Sequence, residues 1–148
     1  MFPSVREEIL AWYDGYSWDG KTRVINPFSL LSFFSQERFA AYWYASGTPK
    51  FLIDLIKKKP ESFLSLNNLE LSERVLDSFD IHSLGIEPLL FQTGYLTVKE
   101  VPPTTGTPYY RLDIPNREVR EAFNLQIIAE FTGQAPTFTE AAFLRCFL

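Results

Sequence analysis

Two strand-like runs joined by a short loop, with a helical run on either side, constrain the fold of this chain most strongly. An apolar run over residues 86–93 ends at Gly94, a residue type that favours the left-handed turn after a helix. Strand-like residues 95–98 follow at once, and a second strand-like run covers residues 109–114. Between them lies a loop rich in Pro, Thr and Gly. This pattern predicts a β-hairpin placed between two helices.

The helix after the hairpin begins at Asn116, whose side chain can accept a hydrogen bond from the first helical turn. Apolar residues then recur at intervals of four, at Val119, Phe123, Ile127 and Phe131. Helix, strand, wing, strand, helix is the order of a winged-helix module. Residues 83–148 are therefore predicted to form a winged-helix-like lobe with one β-hairpin and C-terminal helices.

Residues 1–82 carry mainly helical signals. Ser4 and Glu7 have the spacing of a capping box, and Asn26 followed by Pro27 is typical of a helix start. A short strand is predicted at residues 69–71. The predicted fold class is mainly α with a small amount of β (α+β), in which a helical lobe precedes the winged-helix-like lobe.

The composition bounds the classes of function that this chain can have. A net charge of −4 among 148 residues disfavours non-specific nucleic-acid binding, which depends on Lys and Arg neutralising phosphates. The single cysteine, Cys146, excludes an internal disulfide, and with only one histidine the chain cannot form a Cys/His zinc site. No signal peptide and no apolar run long enough to span a bilayer are evident, so a cytosolic location is predicted.

The sequence contains few candidates for catalysis. His82 has no accompanying nucleophile motif, and Cys146 lies in an apolar run with only Arg145 as a nearby cation, so neither is predicted to act in chemistry. Asp14 and Asp19 stand in turn signals, where an aspartate commonly bonds its own backbone. We therefore predict no catalytic residue and no metal ligand in this chain.

Several longer phrases together resemble one known family. They are Trp12-Tyr-Asp-Gly-Tyr16, Ile25-Asn-Pro-Phe-Ser-Leu-Leu31, Tyr42-Trp43 with Ser46-Gly-Thr-Pro49, Leu89-Leu-Phe-Gln-Thr-Gly-Tyr-Leu96 and Ile114-Pro-Asn-Arg-Glu-Val119. The phrases resemble the bacterial AAA-ATPase-like family, whose longer members join an N-terminal P-loop ATPase-like region to a C-terminal PD-(D/E)XK nuclease-like domain. The family-motif residues are Trp12, Asp14, Gly15, Tyr16, Asn26, Pro27, Trp43, Gly47, Gln92, Gly94, Pro115, Asn116 and Glu118.

The chain departs from the family in lacking the nucleotide-binding core. It contains no G-x-x-x-x-G-K-[ST] phosphate loop, no strand ending in the acidic pair that would hold Mg²⁺, and no nuclease core. The resemblance therefore implies the lid and winged-helix portion of such an ATPase, with no activity and no cofactor of its own. ATP and Mg²⁺ are implied only for the parent family. The implied partners are a P-loop ATPase domain, in cis or in trans, and a nuclease-like domain downstream.

Arginines are the candidates for contacting nucleotide phosphates in the parent protein, because a guanidinium matches phosphate geometry. By type these are Arg23, Arg111 and Arg117, and we favour Arg117 and Arg23. Arg117 follows the Asn116 cap, where backbone N–H groups of the first turn could add to anion binding. The alternative for each is an ordinary surface ion pair.

A second hypothesis is a stand-alone winged-helix module that binds protein or DNA. In a DNA-reading module, the helix before the wing usually carries basic or amide side chains. Here that helix offers Glu87 and Gln92, and the wing contains no basic residue over 102–108, so the sequence favours protein over DNA as the partner. The apolar residues at 141–148 also suggest docking on a partner or an oligomer formed through the C-terminus.

Overall fold

A computed structural model of the protein describes residues 3–45, 54, 57, 58, 66, 69–76 and 86–133. Within these residues the chain is α+β, and the predicted fold class is confirmed. In chain order the elements are α1 (Val5–Tyr13), α2 (Pro27–Gln36), α3 (Tyr42–Ala45), β1 (Leu69–Ser72), α4 (Glu73–Leu76), α5 (Ile86–Gln92), β2 (Thr97–Glu100), β3 (Tyr109–Asp113) and α6 (Arg117–Thr132).

The three longest helices begin at the caps that the sequence predicts. Ser4 and Glu7 exchange both bonds of a capping box at the start of α1. The Asn26 side chain accepts hydrogen bonds from the N–H groups of Phe28 and Ser29, and that of Asn116 accepts one from Val119. Local side-chain chemistry therefore fixes where α1, α2 and α6 begin.

The strands form one antiparallel sheet in the order β1-β3-β2, so the predicted hairpin of β2 and β3 gains a third strand from earlier in the chain. Arg111, in the middle of the central strand, forms ion pairs with Glu70 on β1 at 2.9 Å and with Glu100 on β2 at 2.7 Å. The predicted division between residues 82 and 83 lies outside the described residues. The sheet combines strands from both sides of it.

Strand β2 begins two residues later than the sequence pattern indicates. The N–H groups of Tyr95 and Leu96 both donate to the Leu90 carbonyl, at 2.8 and 3.1 Å. These bonds close the C-terminal end of α5, with Gly94 in the left-handed conformation at φ +82°. Tyr95 and Leu96 therefore terminate the helix, and pairing with β3 starts at Thr97.

Two apolar clusters form the core, and α6 contacts both of them. One cluster surrounds the sheet and consists of Leu66, Leu76, Leu90, Tyr95, Leu96, Val98, Leu112, Val119 and Phe123. The other is aromatic and joins α1, α2 and α3 through Trp12, Tyr13, Phe33 and Tyr42. Helix α6 supplies Val119 and Phe123 to the first cluster, and it also packs against α1 and α3. The N-terminal end of α6 is therefore where the two clusters meet.

Several predictions fall on residues outside the described part of the chain. They concern Gly47, His82, Cys146 and the apolar residues 141–148. None of the helices that the structure describes is both long enough and apolar enough to cross a bilayer.

Candidate functional site

Glu118 lies at the junction of the two clusters and is the centre of the candidate site. It occupies the first turn of α6, where an acidic side chain normally faces solvent and interacts favourably with the helix dipole. Here its exposed fraction is 0%. A carboxyl group that is fully buried needs hydrogen-bond partners, because an unpaired charge inside a protein is costly.

One oxygen of Glu118 binds two groups from different helices. Its Oε1 accepts a hydrogen bond of 2.8 Å from the Ser29 hydroxyl on α2 and another of 2.8 Å from the Trp43 backbone N–H on α3. The Ser29 side chain is itself fully buried. This carboxyl oxygen therefore attaches both α2 and α3 to α6.

Some buried polar atoms lack a hydrogen-bond partner, and one of them belongs to Glu118 itself. Among the described residues, three fully buried polar atoms have no hydrogen-bond partner: Oε2 of Glu118, the hydroxyl of Tyr16 and Nδ2 of Asn116. The amides of Asn116 and Asn26 are close enough to Tyr16 to affect its titration, but neither makes a hydrogen bond of ordinary geometry to its hydroxyl. The three atoms comprise an acceptor, a donor and a hydroxyl that can be either.

Burial shifts the titration of both acids in this group in the same direction. Burial raises the pKa of Glu118, and the bonds from Trp43 and Ser29 offset only part of that rise. Burial, together with the nearby Glu118 carboxylate, raises the pKa of Tyr16 to about 12. The surroundings therefore favour the neutral form of each group.

The turn that carries Tyr16 is held against the start of α6 by very close backbone packing. Gly15 has φ +111°, and a Cβ atom at this position would lie 2.3 Å from the Pro115 carbonyl oxygen. That same oxygen accepts a hydrogen bond of 3.1 Å from the Lys99 ammonium on β2. Burial lowers the pKa of Lys99, and the Asp113 carboxylate opposes this shift. Only glycine satisfies both the backbone angle and the available space.

Among the family-motif residues, Trp43 contacts Glu118 through its backbone N–H, and several others occupy helix ends and the aromatic cluster. Gly94 packs near the rings of Trp43 and Tyr16. A Cβ atom added at Gly94 would lie 3.8 Å from each ring. Trp12 belongs to the aromatic cluster, Asp14 ends α1, Asn26 and Pro27 begin α2, and Asn116 begins α6. Gln92 is exposed at the end of α5, and Gly47 lies outside the described residues.

The two favoured arginines are not brought together at the candidate site. Arg117 is exposed and pairs with Glu8 of α1 at 3.2 Å, which is the surface ion pair weighed as the alternative. Arg23 is exposed, and the next residue, Val24, forms an isolated antiparallel β-bridge with Tyr16. The positive charge of Arg23 contributes to lowering the pKa of Lys99. Arg111 lies on the sheet between its two glutamate partners.

Glu118 is one of the family-motif residues, but the sequence does not indicate that its side chain is buried. Ser29 was not singled out at all. The only sequence signal was indirect, since both residues occur inside the phrases that carry the family resemblance. Within the described residues, no group of three or more His, Cys, Asp or Glu side chains could hold a metal ion. The geometry defines a buried polar junction that fixes the relative positions of helices.

One known protein is similar over most of this chain. It is the "Uncharacterized protein in vnfD 5'region" of Azotobacter chroococcum mcd 1, which is 38% identical over 126 residues. The match covers 85% of this chain and 24% of the relative, so the chain spans about a quarter of the relative's length. No family model matches the chain. No solved structure matches it.

Proposed function

We propose that this chain is a non-catalytic lid and winged-helix segment of a bacterial AAA-ATPase-like protein. It packs on a P-loop ATPase domain and relays the state of the bound nucleotide. ATP and Mg²⁺ belong to that parent domain and not to this chain. A cytosolic location is part of the proposal, because the single cysteine suits a reducing compartment.

The observation that carries the proposal is the convergence of separate motif phrases on Glu118. Ser29 and Trp43, from two of these phrases, donate hydrogen bonds to the carboxyl group of Glu118 in a third phrase. Tyr16, from a fourth, is close enough for that carboxylate to raise its pKa. A junction of this kind makes α2, α3 and α6 move as a unit, which a segment relaying a conformational change requires. The relative from Azotobacter is much longer than the shared stretch and has room for a P-loop domain.

The winged-helix part of the proposal is supported by element order. Helix α5, strand β2, the loop 101–108, strand β3 and helix α6 follow one another in the order of such a module. The loop contains no basic residue, and α5 carries Glu87 as its single charge. This surface suits a protein partner better than the phosphates of a duplex.

The reading frame that contains this sequence tests the proposal directly. We expect a G-x-x-x-x-G-K-[ST] motif upstream in the same frame, or in an adjacent gene for a partner in trans. The purified chain should not hydrolyse ATP. Turnover that scales with the concentration of the chain and persists through successive purification steps contradicts the proposal.

The second candidate is a stand-alone winged-helix module that binds protein or DNA, and the same element order favours it. A fluorescent duplex titrated with the chain at low salt separates the two functions. A shift that weakens steeply with added salt would favour DNA binding, because releasing counterions drives such complexes. No shift at low salt removes DNA from consideration.

A further inference from the structure

Helix α2 carries an uncharged apolar face directed at solvent. Phe28, Leu31 and Phe34 are exposed by 54%, 67% and 60%. We call these three residues the α2 face. The opposite side of the helix is buried through Ser29 and Phe33. A helix on a protein surface normally places charged residues on its outer side, yet α2 contains no charged residue.

The size of the α2 face distinguishes between kinds of partner. Because an aromatic side chain offers about 150–250 Å² in all, the exposed parts of these three residues amount to roughly 300–400 Å². A stable complex between free proteins buries about 800 Å² on each partner. The face is therefore too small to hold a freely diffusing partner or a second copy by itself. It matches the largest apolar patches found on single proteins, roughly 300–600 Å², which are often functional.

A domain connected to this chain in the same polypeptide does not need a large interface. Tethering raises the effective concentration of the two surfaces to roughly the millimolar range, so a small contact suffices. The relative from Azotobacter has most of its length outside the stretch shared with this chain. In addition, α2 is attached to α6 through Ser29 and Glu118, so a contact on its outer side is transmitted to the buried junction.

We propose that the α2 face is the surface on which the P-loop domain of the same polypeptide packs. This inference rests on the proposed function and adds the contact surface to it. The P-loop domain presents an uncharged apolar patch to Phe28, Leu31 and Phe34. Movement of that domain then reaches α6 through the bond between Ser29 and Glu118.

Cysteine labelling tests the α2 face. Leu31→Cys is made in a Cys146→Ser background, both in this chain and in the full-length product of its reading frame. Val5→Cys is the matched control, because Val5 is exposed by 64%, close to the value for Leu31, but lies on α1 and outside the α2 face. Maleimide labelling at each site is followed by mass spectrometry. Circular dichroism verifies that each variant is folded.

We expect Leu31→Cys to label at least about tenfold more slowly in the full-length protein than in this chain, because a covered thiol reacts only when the contact opens. Val5→Cys should label at similar rates in both. Equal rates at Leu31 in a protein that does contain a P-loop domain overturn the contact surface and leave the proposed function intact. A reading frame without a P-loop domain overturns the contact surface, and the absence of such a domain from the adjacent genes as well overturns the proposed function. If labelling of the isolated chain slows as its concentration rises, a second copy covers the face, and the proposal is wrong.

Discussion

The hydroxyl of Ser29 donates a hydrogen bond of 2.8 Å to the carboxyl group of Glu118. The two residues are 89 positions apart in the chain, and the bond joins α2 to α6. Both side chains have an exposed fraction of 0%. The same carboxyl oxygen accepts the Trp43 N–H. Glu118 therefore has a structural role that is much larger than that of an ordinary first-turn glutamate.

Removal of the Glu118 carboxyl group should be strongly destabilising. Glu118→Ala leaves the Ser29 hydroxyl and the Trp43 N–H buried without an acceptor, at a cost of about 1–3 kcal/mol for each buried group. We expect the free energy of unfolding to fall by about 2–5 kcal/mol, measured by urea denaturation. Glu118→Gln is the matched control, since its amide oxygen can still accept both bonds, and it should lose less than about half as much. Equal losses for the two variants would contradict this account.

The parts of the fold that could be predicted from sequence are those set by neighbours in the chain. Ser4, Asn26 and Asn116 begin their helices because each bonds an N–H group two or three residues away. The hairpin and the single short strand before it were predicted from residue patterns in the same way.

The parts that could not be predicted depend on distant contacts. Glu118 is buried because Ser29 and Trp43 reach it from positions 89 and 75 residues earlier. Val5 shows the opposite effect: it lies seven residues before Trp12, on the same side of a helix, yet it is 64% exposed. Only the C-terminal end of α1, at Trp12 and Tyr13, is buried. Hydrophobic spacing predicts the face of a helix and does not predict how much of its length is covered.

The stability of the protein should depend on pH in a way that Glu118 controls. Its pKa is raised in the folded state, so the folded protein holds this proton to a higher pH than the unfolded chain. This stabilising contribution is complete below the unfolded pKa, about 4.3, and is lost as pH rises through the folded pKa. Asp19 acts in the opposite direction, because bonds from the Lys21 and Thr22 N–H groups lower its pKa. The stabilising contribution of Asp19 is present above its unfolded pKa and is lost as pH falls through its lower, folded-state pKa.

Comparison with Glu118→Gln isolates the Glu118 contribution from that of the other carboxylates. We expect the unfolding free energy of the native protein, minus that of the variant, to decrease as pH rises from about 4 and to become constant above the folded pKa of Glu118. Urea denaturation at a series of pH values measures this difference. A difference that increases with pH would mean that Glu118 is stabilised as the carboxylate.

Arg117 should matter little for the stability of this chain. Its ion pair with Glu8 is exposed, and such pairs contribute about 0–1 kcal/mol. We expect Arg117→Ala to change the free energy of unfolding by less than about 0.5 kcal/mol. Under the proposal that this chain is part of an ATPase in which Arg117 contacts phosphate, the same change should lower ATP hydrolysis by that ATPase. Arg117→Lys should not fully restore it, because an ammonium lacks the bidentate geometry of a guanidinium. Arg23→Ala is tested in parallel for both properties, the free energy of unfolding and ATP hydrolysis.

Gly15 offers the sharpest test of how the Tyr16 turn is held against α6. An alanine at this position would place its Cβ atom 2.3 Å from the Pro115 carbonyl oxygen, at a backbone angle of φ +111°. The backbone must move, and Tyr16 and the Lys99 bond to Pro115 move with it. We expect Gly15→Ala to lower the free energy of unfolding by about 3 kcal/mol or more, the sum of the strained backbone and the displaced contacts.

Gly133→Ala is the matched control, because Gly133 also has positive φ, at +67°, but nothing lies within 4 Å of the added atom. Its cost should be limited to the backbone conformation, about 1 kcal/mol. Chemical denaturation of both variants gives the comparison, and equal losses would mean that the close approach of Gly15 to Pro115 does not contribute to stability.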